Sequence, residues 1–193
     1  MKANQTVKIV YGGLFIALTA IGANITAIMP FLVVGGVPIT LQTFFAVLAG
    51  LVLGSRLGAF TMFGYMLIGL AGAPVFAQFS GGAANLLSPT FGFIISFIIV
   101  AYICGKLVEY KQTKSMYIVA SLFGMLFIYV FGTNWLYMAY KLWFQAPEGF
   151  HYGIAWLWMI VPLPKDTALA LVAGVFAYRL DAILMMQKVR SQS

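Results

Sequence analysis

Six long apolar stretches constrain the fold of this chain more than any other feature of its sequence. Hydrophobic residues make up 63% of the 193 residues and charged residues 8%, whereas a soluble domain usually carries about 25% charged residues. A helix that crosses a bilayer needs roughly 20 mostly apolar residues. The pattern predicts an all-α membrane protein with one domain over residues 1–193 and six transmembrane helices. These helices are expected at Ile9–Met29, Ile39–Leu53, Leu57–Leu70, Phe91–Leu107, Met116–Tyr140 and Lys165–Leu184.

The second and third stretches are short for a membrane span. Either helix could extend into a flanking loop, or be tilted or kinked. The first stretch follows two lysines and could mimic a signal peptide. It is long, it lacks a convincing cleavage site with small residues, and five more spans follow it. We therefore interpret it as a retained helix.

The basic residues predict how the helices are oriented. In a six-helix arrangement one side carries Lys2, Lys8, Arg56, Lys106, Lys111, Lys114, Arg179, Lys188 and Arg190, and the other only Lys141 and Lys165. Lysine and arginine are enriched in cytoplasmic loops, so both termini are expected in the cytoplasm. The net charge of +7 could also indicate nucleic-acid binding. Because the charges are scattered over short loops of an apolar chain, we expect a lipid bilayer and no nucleic acid as partner.

The connections on the inferred outer side are long, apolar and rich in glycine and proline. They cover Pro30–Pro38, Ala71–Pro89 and Lys141–Pro162. Irregular backbone near membrane depth is tolerated only where protein buries it or water lines it. We infer that the three connections fold over the helices and close a ligand pocket near the outer face. The alternative is that they are extracellular caps without a ligand.

Polar residues in or beside the apolar stretches mark candidate positions in that pocket, because such residues are costly in a membrane and are usually functional. Asp166 is expected in the first turn of the last helix, where the helix dipole favours a carboxylate. A cation is disfavoured there, so Lys165 should have an anion nearby: Asp166, Glu148, a lipid phosphate or a bound carboxylate. Asn85 and Gln42 carry amides that must find hydrogen-bond partners when buried.

Aromatic residues crowd the fifth predicted helix. Tyr137, Tyr140 and Trp143 near its outer end are typical of an interfacial belt. Tyr129 and Trp135 could instead form the wall of an apolar pocket, although belt or packing roles remain open for each of them.

Small residues recur along the first helix at Gly13, Ala17 and Ala20. A stripe of small residues lets another helix approach closely in a membrane. Packing within the bundle and docking of a separate membrane subunit are both consistent with this spacing.

Motifs for catalysis are missing from the sequence. It contains no G-x-x-x-x-G-K-[ST] phosphate loop, no G-x-S-x-G elbow and no H-E-x-x-H pair. The reactive candidates for an intramembrane enzyme are Cys104, His151 and the Lys165–Asp166 pair. No cluster of metal-binding residues is present, so we expect a binding protein without a catalytic residue, metal or cofactor.

Four motifs in sequence order resemble those of the BioY family, the biotin-binding S components of energy-coupling factor (ECF) transporters. They are Pro38-Ile39-Thr40-Leu41-Gln42-Thr43, Gly54-Ser55-Arg56-Leu57-Gly58, Gly72-Ala73-Pro74-Val75-Phe76-Ala77 and Ser88-Pro89-Thr90-Phe91-Gly92-Phe93. The resemblance covers roughly residues 13–177. It implies a six-helix bundle in the bacterial plasma membrane, with biotin as transported ligand and not as cofactor.

The resemblance also implies partners and site residues. A membrane coupling subunit and two cytoplasmic ATPases would supply the energy, which fits the missing phosphate loop. The family's A-x-x-x-A docking pattern corresponds to Gly13 and Ala17. Asp166 would accept a ureido N–H, Asn85 would pair with the ureido carbonyl or the tail, and Val75 and Phe76 would cover the apolar ring. Gln42 would be a further pocket residue. A stand-alone carrier for biotin or another small vitamin is the alternative.

The start of the last helix departs from the family pattern. The family commonly shows Pro-Gly-Asp followed by a lysine three positions after the aspartate. Here Pro164 and Asp166 match, Lys165 replaces the glycine, and Leu169 stands in the place of the lysine. Two interpretations follow: the cation opposite the ligand's carboxylate has moved to Lys165, or the match to the family is loose at this position.

Overall fold

The computed structural model describes residues 5–25, 33–34 and 37–190, and the side chains of these residues except Val34 and 184–190. The helices are α1 (Gln5–Asn24), α2 (Gln42–Leu53), α3 (Ser55–Leu70), α4 (Phe91–Tyr110), α5 (Lys114–Leu142), α6 (Tyr152–Ile160) and α7 (Leu163–Arg190). Two-residue strands β1 (Val33–Val34) and β2 (Val37–Pro38) pair antiparallel before α2. Lys2, the end of the predicted span Ile9–Met29 and most of the loop 30–38 lie outside the described residues.

Helix α4 lies at the centre of the bundle and packs against α2, α3 and α5, while α7 packs against α5 and α2. Small residues allow these close approaches. A Cβ on Gly50 would lie 2.4 Å from the carbonyl oxygen of Ala101, and a Cβ on Gly105 would lie 2.3 Å from the backbone nitrogen of Ser55. Backbone-to-backbone contact of this kind is what small residues permit between membrane helices.

The corner between α2 and α3 is held by a residue of α4. Gly54 has a φ of 82°, a left-handed conformation that glycine adopts without a steric cost. The Glu109 carboxylate then accepts hydrogen bonds from the backbone N–H of Ser55 at 2.7 Å and from its hydroxyl at 2.9 Å. Glu109 therefore caps the start of α3, where the helix leaves backbone N–H groups without partners.

The helices long and apolar enough to cross a bilayer are α1, α4 and α5 among the described residues, and α6 with the first part of α7 passes the same test as a pair bent by 57°. Helix α2, with 12 residues, is about 18 Å long, short of a hydrocarbon core of about 30 Å. The all-helical architecture is confirmed. The count of six spans and the side of each terminus stay predictions.

The connection 141–162 is more regular than the sequence indicated. We expected an irregular loop over its whole length, but residues 152–160 form α6. The run from Ile154 to Ile160 contains neither glycine nor proline, so nothing in it interrupts a helix until Pro162. The connection 71–90 keeps irregular backbone, with single 3₁₀ turns at Ala77–Phe79 and Ala83–Leu87.

Large apolar side chains cover the outside of the bundle. More than half of the side-chain surface is exposed for Ile9, Val10, Ile21, Phe60, Val119, Leu126, Val172 and Phe176, which lie on α1, α3, α5 and α7. Soluble proteins rarely expose apolar surface on this scale. The exterior is that of a protein embedded in lipid.

Candidate ligand-binding site

A cavity of about 340 Å³ lies where the start of α2, the α3–α4 connection and the start of α7 meet. Small-molecule sites commonly have volumes of about 300–1,000 Å³. Its polar lining is contributed by Thr40, Gln42, Thr43, Gln78, Ser80, Asn85, Ser88, Thr90, Tyr129 and Asp166. Its apolar lining includes Val37, Ile39, Phe76, Phe91, Phe93, Ile94, Phe97 and Met159. A cavity lined by polar and apolar groups in similar measure suits a ligand that has both characters.

Asp166 is the acidic side chain of the cavity wall. It lies in the first turn of α7, as predicted, because Pro162 and Pro164 set the start of this helix and the dipole favours an anion there. Its side chain is only 7% exposed. The hydroxyl of Tyr129 donates to Oδ2 at 2.6 Å, and Lys165 pairs with Oδ1 at 2.6 Å. A carboxylate has about four acceptor positions, so Asp166 can still accept from a ligand.

Lys165 lies beside the cavity and links two of the elements that surround it. Its Nζ pairs with Asp166 and also donates to the backbone carbonyl of Thr40 at the start of α2. Its side chain is 33% exposed. The sequence predicts an anion near Lys165, and in the structure its neighbour Asp166 is that anion. The ammonium group joins α7 to the residue that leads into α2.

Gln42 lies in the cavity wall, and both the nitrogen and the oxygen of its amide make a hydrogen bond within the protein. Its Nε2 donates to the hydroxyl of Tyr65 at 2.8 Å, and its Oε1 accepts from the hydroxyl of Thr40 at 3.0 Å. The Tyr65 hydroxyl in turn donates to the backbone carbonyl of Val75 at 2.8 Å. One hydrogen-bond chain therefore links the α3–α4 connection to the wall of the cavity.

Asn85 also lies in the wall, on the 3₁₀ turn Ala83–Leu87. Its Nδ2 donates to the carbonyl of Gly82 at 3.2 Å, and the backbone N–H of Gly82 donates to the carbonyl of Gly69 at 2.7 Å. The turn is therefore tied to the end of α3. Asn85 is half-buried and can present amide groups to a ligand.

Of the remaining predicted pocket residues Val75, Phe76 and Trp135, only Phe76 is among the described residues that line the cavity. Phe76 is buried and lines the cavity, whereas Val75 contributes its backbone carbonyl to the Tyr65 hydroxyl. Trp135 lies elsewhere, in an apolar depression of about 600 Å³ on α5 with Phe127, Val130, Phe131 and Met138. Its side chain packs over Gly92 of α4, where a Cβ would lie 2.2 Å from the tryptophan.

The comparisons with known proteins agree with this architecture. A family model described as the BioY family matches residues 1–185. The chain belongs to the BioY family. The resemblance inferred from the four motifs is thereby confirmed.

Relatives of this BioY chain cover most of its length. The BioYB protein of Bacillus subtilis (strain 168) is 47% identical over 167 residues, which are 86% of this chain and 82% of that protein. The biotin transporter BioY of Thermotoga maritima is 38% identical over 125 residues, which are 65% of this chain and 71% of that protein. The crystal structure at 2.1 Å of the S-component for biotin from an ECF-type ABC transporter matches with a TM-score of 0.76 at 24% identity. That match covers 94% of this chain and 95% of the other and shows a shared fold.

The small-residue stripe of this BioY chain divides between two faces of α1. Gly13 and Ala17 are exposed, and apart from the neighbouring backbone of α1, no atom of the described residues lies within 4 Å of a Cβ placed on Gly13. Ala20 packs partly against the core. Gly12, in contrast, faces the bundle and packs against α3, where a Cβ on Gly12 would lie 3.2 Å from Oγ1 of Thr61. The positions that match the family's docking pattern are therefore open on the surface.

Cys104 and His151, the candidates for an enzymatic centre, lie away from the wall of the cavity. Cys104 is fully buried in the helical core and donates to the backbone carbonyl of Ala120. His151 is exposed just before α6, and its Nδ1 is 3.0 Å from the carbonyl oxygen of Gly149. Neither side chain is among the described residues that line the cavity.

Three residues around the site escaped the sequence analysis. Thr40 and Tyr65 complete the polar chain to Gln42. Asn24, at the end of α1, accepts through Oδ1 from the backbone N–H of Phe79 at 2.5 Å and so ties α1 to the α3–α4 connection. Thr40 stands inside a family motif and was a recoverable signal. Asn24 and Tyr65 are buried residues with polar groups in largely apolar helices, a pattern that indicates a structural or functional role in a membrane protein.

Proposed function

We propose that this chain is the S component of an ECF transporter, which captures biotin in the Asp166 cavity and delivers it for ATP-driven import. The observation that carries the proposal is the buried carboxylate of Asp166 in the wall of a cavity of about 340 Å³, in a chain of the BioY family. A charge is buried in an apolar protein only where it is paired and used.

The lining of the cavity complements the chemistry of biotin. The ureido ring of biotin carries two N–H donors and one carbonyl acceptor, its second ring is apolar, and its tail ends in a carboxylate. Asp166 accepts a ureido N–H, and the amide of Asn85 pairs with the ureido carbonyl or the tail. Phe76 and the phenylalanines of α4 surround the apolar ring. A site built from such pairs rejects analogues that leave its polar groups without partners.

Energy for import comes from other subunits. The sequence has no G-x-x-x-x-G-K-[ST] loop to bind ATP. A membrane coupling subunit and two cytoplasmic ATPases are the proposed partners, and the coupling subunit docks on the open face of α1 at Gly13 and Ala17. Close helix packing against such small residues is a common mode of association in membranes.

Calorimetry with purified protein in detergent tests the capture of biotin. Wild-type protein should bind biotin, and Asp166→Asn should weaken binding by about 10- to 100-fold, because a hydrogen bond to a charged group contributes roughly 1.5–3 kcal/mol. Arg56→Ala, at the start of α3 and away from the cavity, should bind as wild type does. Absence of binding at micromolar biotin, or an Asp166→Asn variant that binds normally, would contradict the proposal.

Co-purification with the coupling subunit tests the docking face. Ala17→Trp should abolish the complex and leave biotin binding unchanged, whereas Val119→Trp, on the exposed face of α5, should leave both intact. Biotin uptake by cells that lack every coupling subunit would instead identify a stand-alone carrier.

Thiol labelling of intact cells tests the proposed orientation in the bacterial plasma membrane. With both termini in the cytoplasm, a Glu148→Cys variant reacts with a membrane-impermeant maleimide and a Lys111→Cys variant does not. The native Cys104 is buried and gives a low background. The reverse labelling pattern contradicts this orientation.

A further inference from the structure

The hydroxyl of Tyr65 is the only part of that side chain that meets polar groups. Tyr65 lies on α3 with 0% of its surface exposed. Its hydroxyl oxygen is 2.8 Å from the carbonyl oxygen of Val75 and 2.8 Å from Nε2 of Gln42. Its ring meets the ring of Phe76 edge-on, with 5.6 Å between the centroids. Tyr65 is thus fixed between the α3–α4 connection and the wall of the cavity without lining the cavity itself.

The chemistry of these three groups fixes the direction of each hydrogen bond. A backbone carbonyl only accepts, and a tyrosine hydroxyl has one hydrogen. The Tyr65 hydroxyl must therefore donate that hydrogen to Val75, and it can only accept from Gln42. Gln42 has to turn its NH₂ group toward Tyr65, and its Oε1 is left on the opposite side.

Gln42 consequently holds its amide nitrogen at Tyr65 and directs its amide oxygen, an acceptor, to the side of Thr40. Its Oε1 lies 3.0 Å from the hydroxyl of Thr40, and both residues line the cavity. An amide oxygen has two lone pairs, so it can accept from a ligand as well as from Thr40. With Asp166, the cavity then offers two acceptors for two ligand N–H groups.

We infer that Tyr65 is a positioning residue that sets the polarity of the Gln42 amide, and that this polarity makes the cavity select a ligand with N–H at that position. The inference rests on the proposed biotin site and adds the source of its selectivity. A ligand with an oxygen in place of that N–H would bring this oxygen next to Oε1 of Gln42. Both atoms are acceptors, so no hydrogen bond could form between them. The amide cannot turn over to relieve the conflict while Tyr65 holds it.

Two carbamate analogues of biotin, each with one ureido N–H replaced by a ring oxygen, test the inference by calorimetry. In wild-type protein the analogue with oxygen at the Gln42 position should bind on the order of a hundredfold more weakly than biotin. In Tyr65→Phe the Gln42 amide is free to turn its NH₂ toward that oxygen. The dissociation constant of this analogue divided by that of biotin should therefore fall at least about tenfold from its wild-type value. Tyr117→Phe, another buried tyrosine, which lies on α5 and outside the lining of the cavity, should leave the ratio unchanged.

A merely structural role of Tyr65 gives a different result. Biotin and both analogues would then weaken by the same factor in Tyr65→Phe, and an unchanged ratio for both analogues overturns the inference. Gln42→Met supplies a second test if Tyr65→Phe does not fold, because it removes the oriented amide itself. If Gln42→Met keeps the wild-type ratio for both analogues, the inference also fails. Failure of the proposed function is distinct, since wild-type protein would then not bind biotin at all.

Discussion

The hydroxyl of Tyr129 on α5 lies 2.6 Å from Oδ2 of Asp166 on α7, and both residues are buried. This bond joins the two helices at the wall of the cavity and gives a buried carboxylate one of its hydrogen-bond donors. The other partner is Lys165, which comes from the same helix turn as Asp166 and reaches across to Thr40. Three separate elements therefore determine where the acidic group of the site points.

Removing the Tyr129 hydroxyl should weaken biotin binding. Tyr129→Phe leaves the Asp166 carboxylate without its donor at Oδ2, and loss of a hydrogen bond to a charged group costs roughly 1.5–3 kcal/mol. We expect calorimetry to show a dissociation constant about 10-fold or more above that of wild type. Tyr110→Phe, at a tyrosine that is 88% exposed, is the matched control. Equal affinities for the Tyr129 variant and this control would show that the hydroxyl does not support the site.

Lys165→Met should weaken the binding of biotin and of biotin methyl ester by a similar factor. In the structure Nζ contacts both Asp166 and the carbonyl of Thr40. Its loss should therefore disturb the carboxylate that we propose as the acceptor for the ureido group, which both ligands share. A lysine that faces the tail carboxylate would instead discriminate between acid and ester. Competition assays with the two ligands measure this difference. If Lys165→Met weakened the binding of biotin but not of the methyl ester, Lys165 would face the tail carboxylate, as the sequence predicts.

Gly69→Ala should reduce affinity by displacing Phe76 from the cavity wall. A Cβ on Gly69 would lie 2.2 Å from the Phe76 ring, which is almost fully buried. Overpacking of this kind costs about 1–3 kcal/mol, so about tenfold weaker binding is expected. Gly64→Ala on the same helix brings its Cβ within only 3.3 Å of the flexible end of Ile16 and should bind within about twofold of wild type. The pair can be compared by titration with biotin, and equal affinities would contradict the role given to Phe76.

Glu109→Gln should lower stability and leave biotin affinity unchanged. The Glu109 carboxylate accepts from the N–H and hydroxyl of Ser55 at the start of α3, and neither residue is among those that line the cavity. Glutamine keeps one oxygen acceptor but loses the negative charge and the second acceptor, so we expect the loss of part of the roughly 1 kcal/mol that a helix cap contributes. Thermal unfolding in detergent should show a lower midpoint than wild type. Lys106→Met is the control. It removes an exposed lysine whose Nζ is 3.9 Å from the same carboxylate, and it should have almost no effect on stability. If it lowered the unfolding midpoint as much as Glu109→Gln, the ion pair and not the cap would be the stabilising contact.

Local properties of the sequence were enough for the class of the protein, its family and part of its site. Apolar composition predicted helices in lipid because the bilayer leaves few alternatives for the backbone. Pro162 before α7 and Pro164 at its start predicted Asp166 in the first helical turn, and this prediction depends on residues 162–166 alone. Gln42, Asn85 and Phe76 stand within or beside family motifs, and the structure places all three at the cavity with Asp166.

Only the tertiary structure decided which side chains meet. Tyr65 and Gln42 are 23 residues apart, Tyr129 and Asp166 are 37 apart, and Lys165 reaches a carbonyl 125 residues away. The rotation of each helix about its axis sets these contacts, and a nearly uniform apolar helix carries little periodic signal for that rotation. Hence Trp135, a reasonable pocket residue by sequence, packs over Gly92 instead, while Tyr65, which no motif marks, is placed to orient the amide of the site.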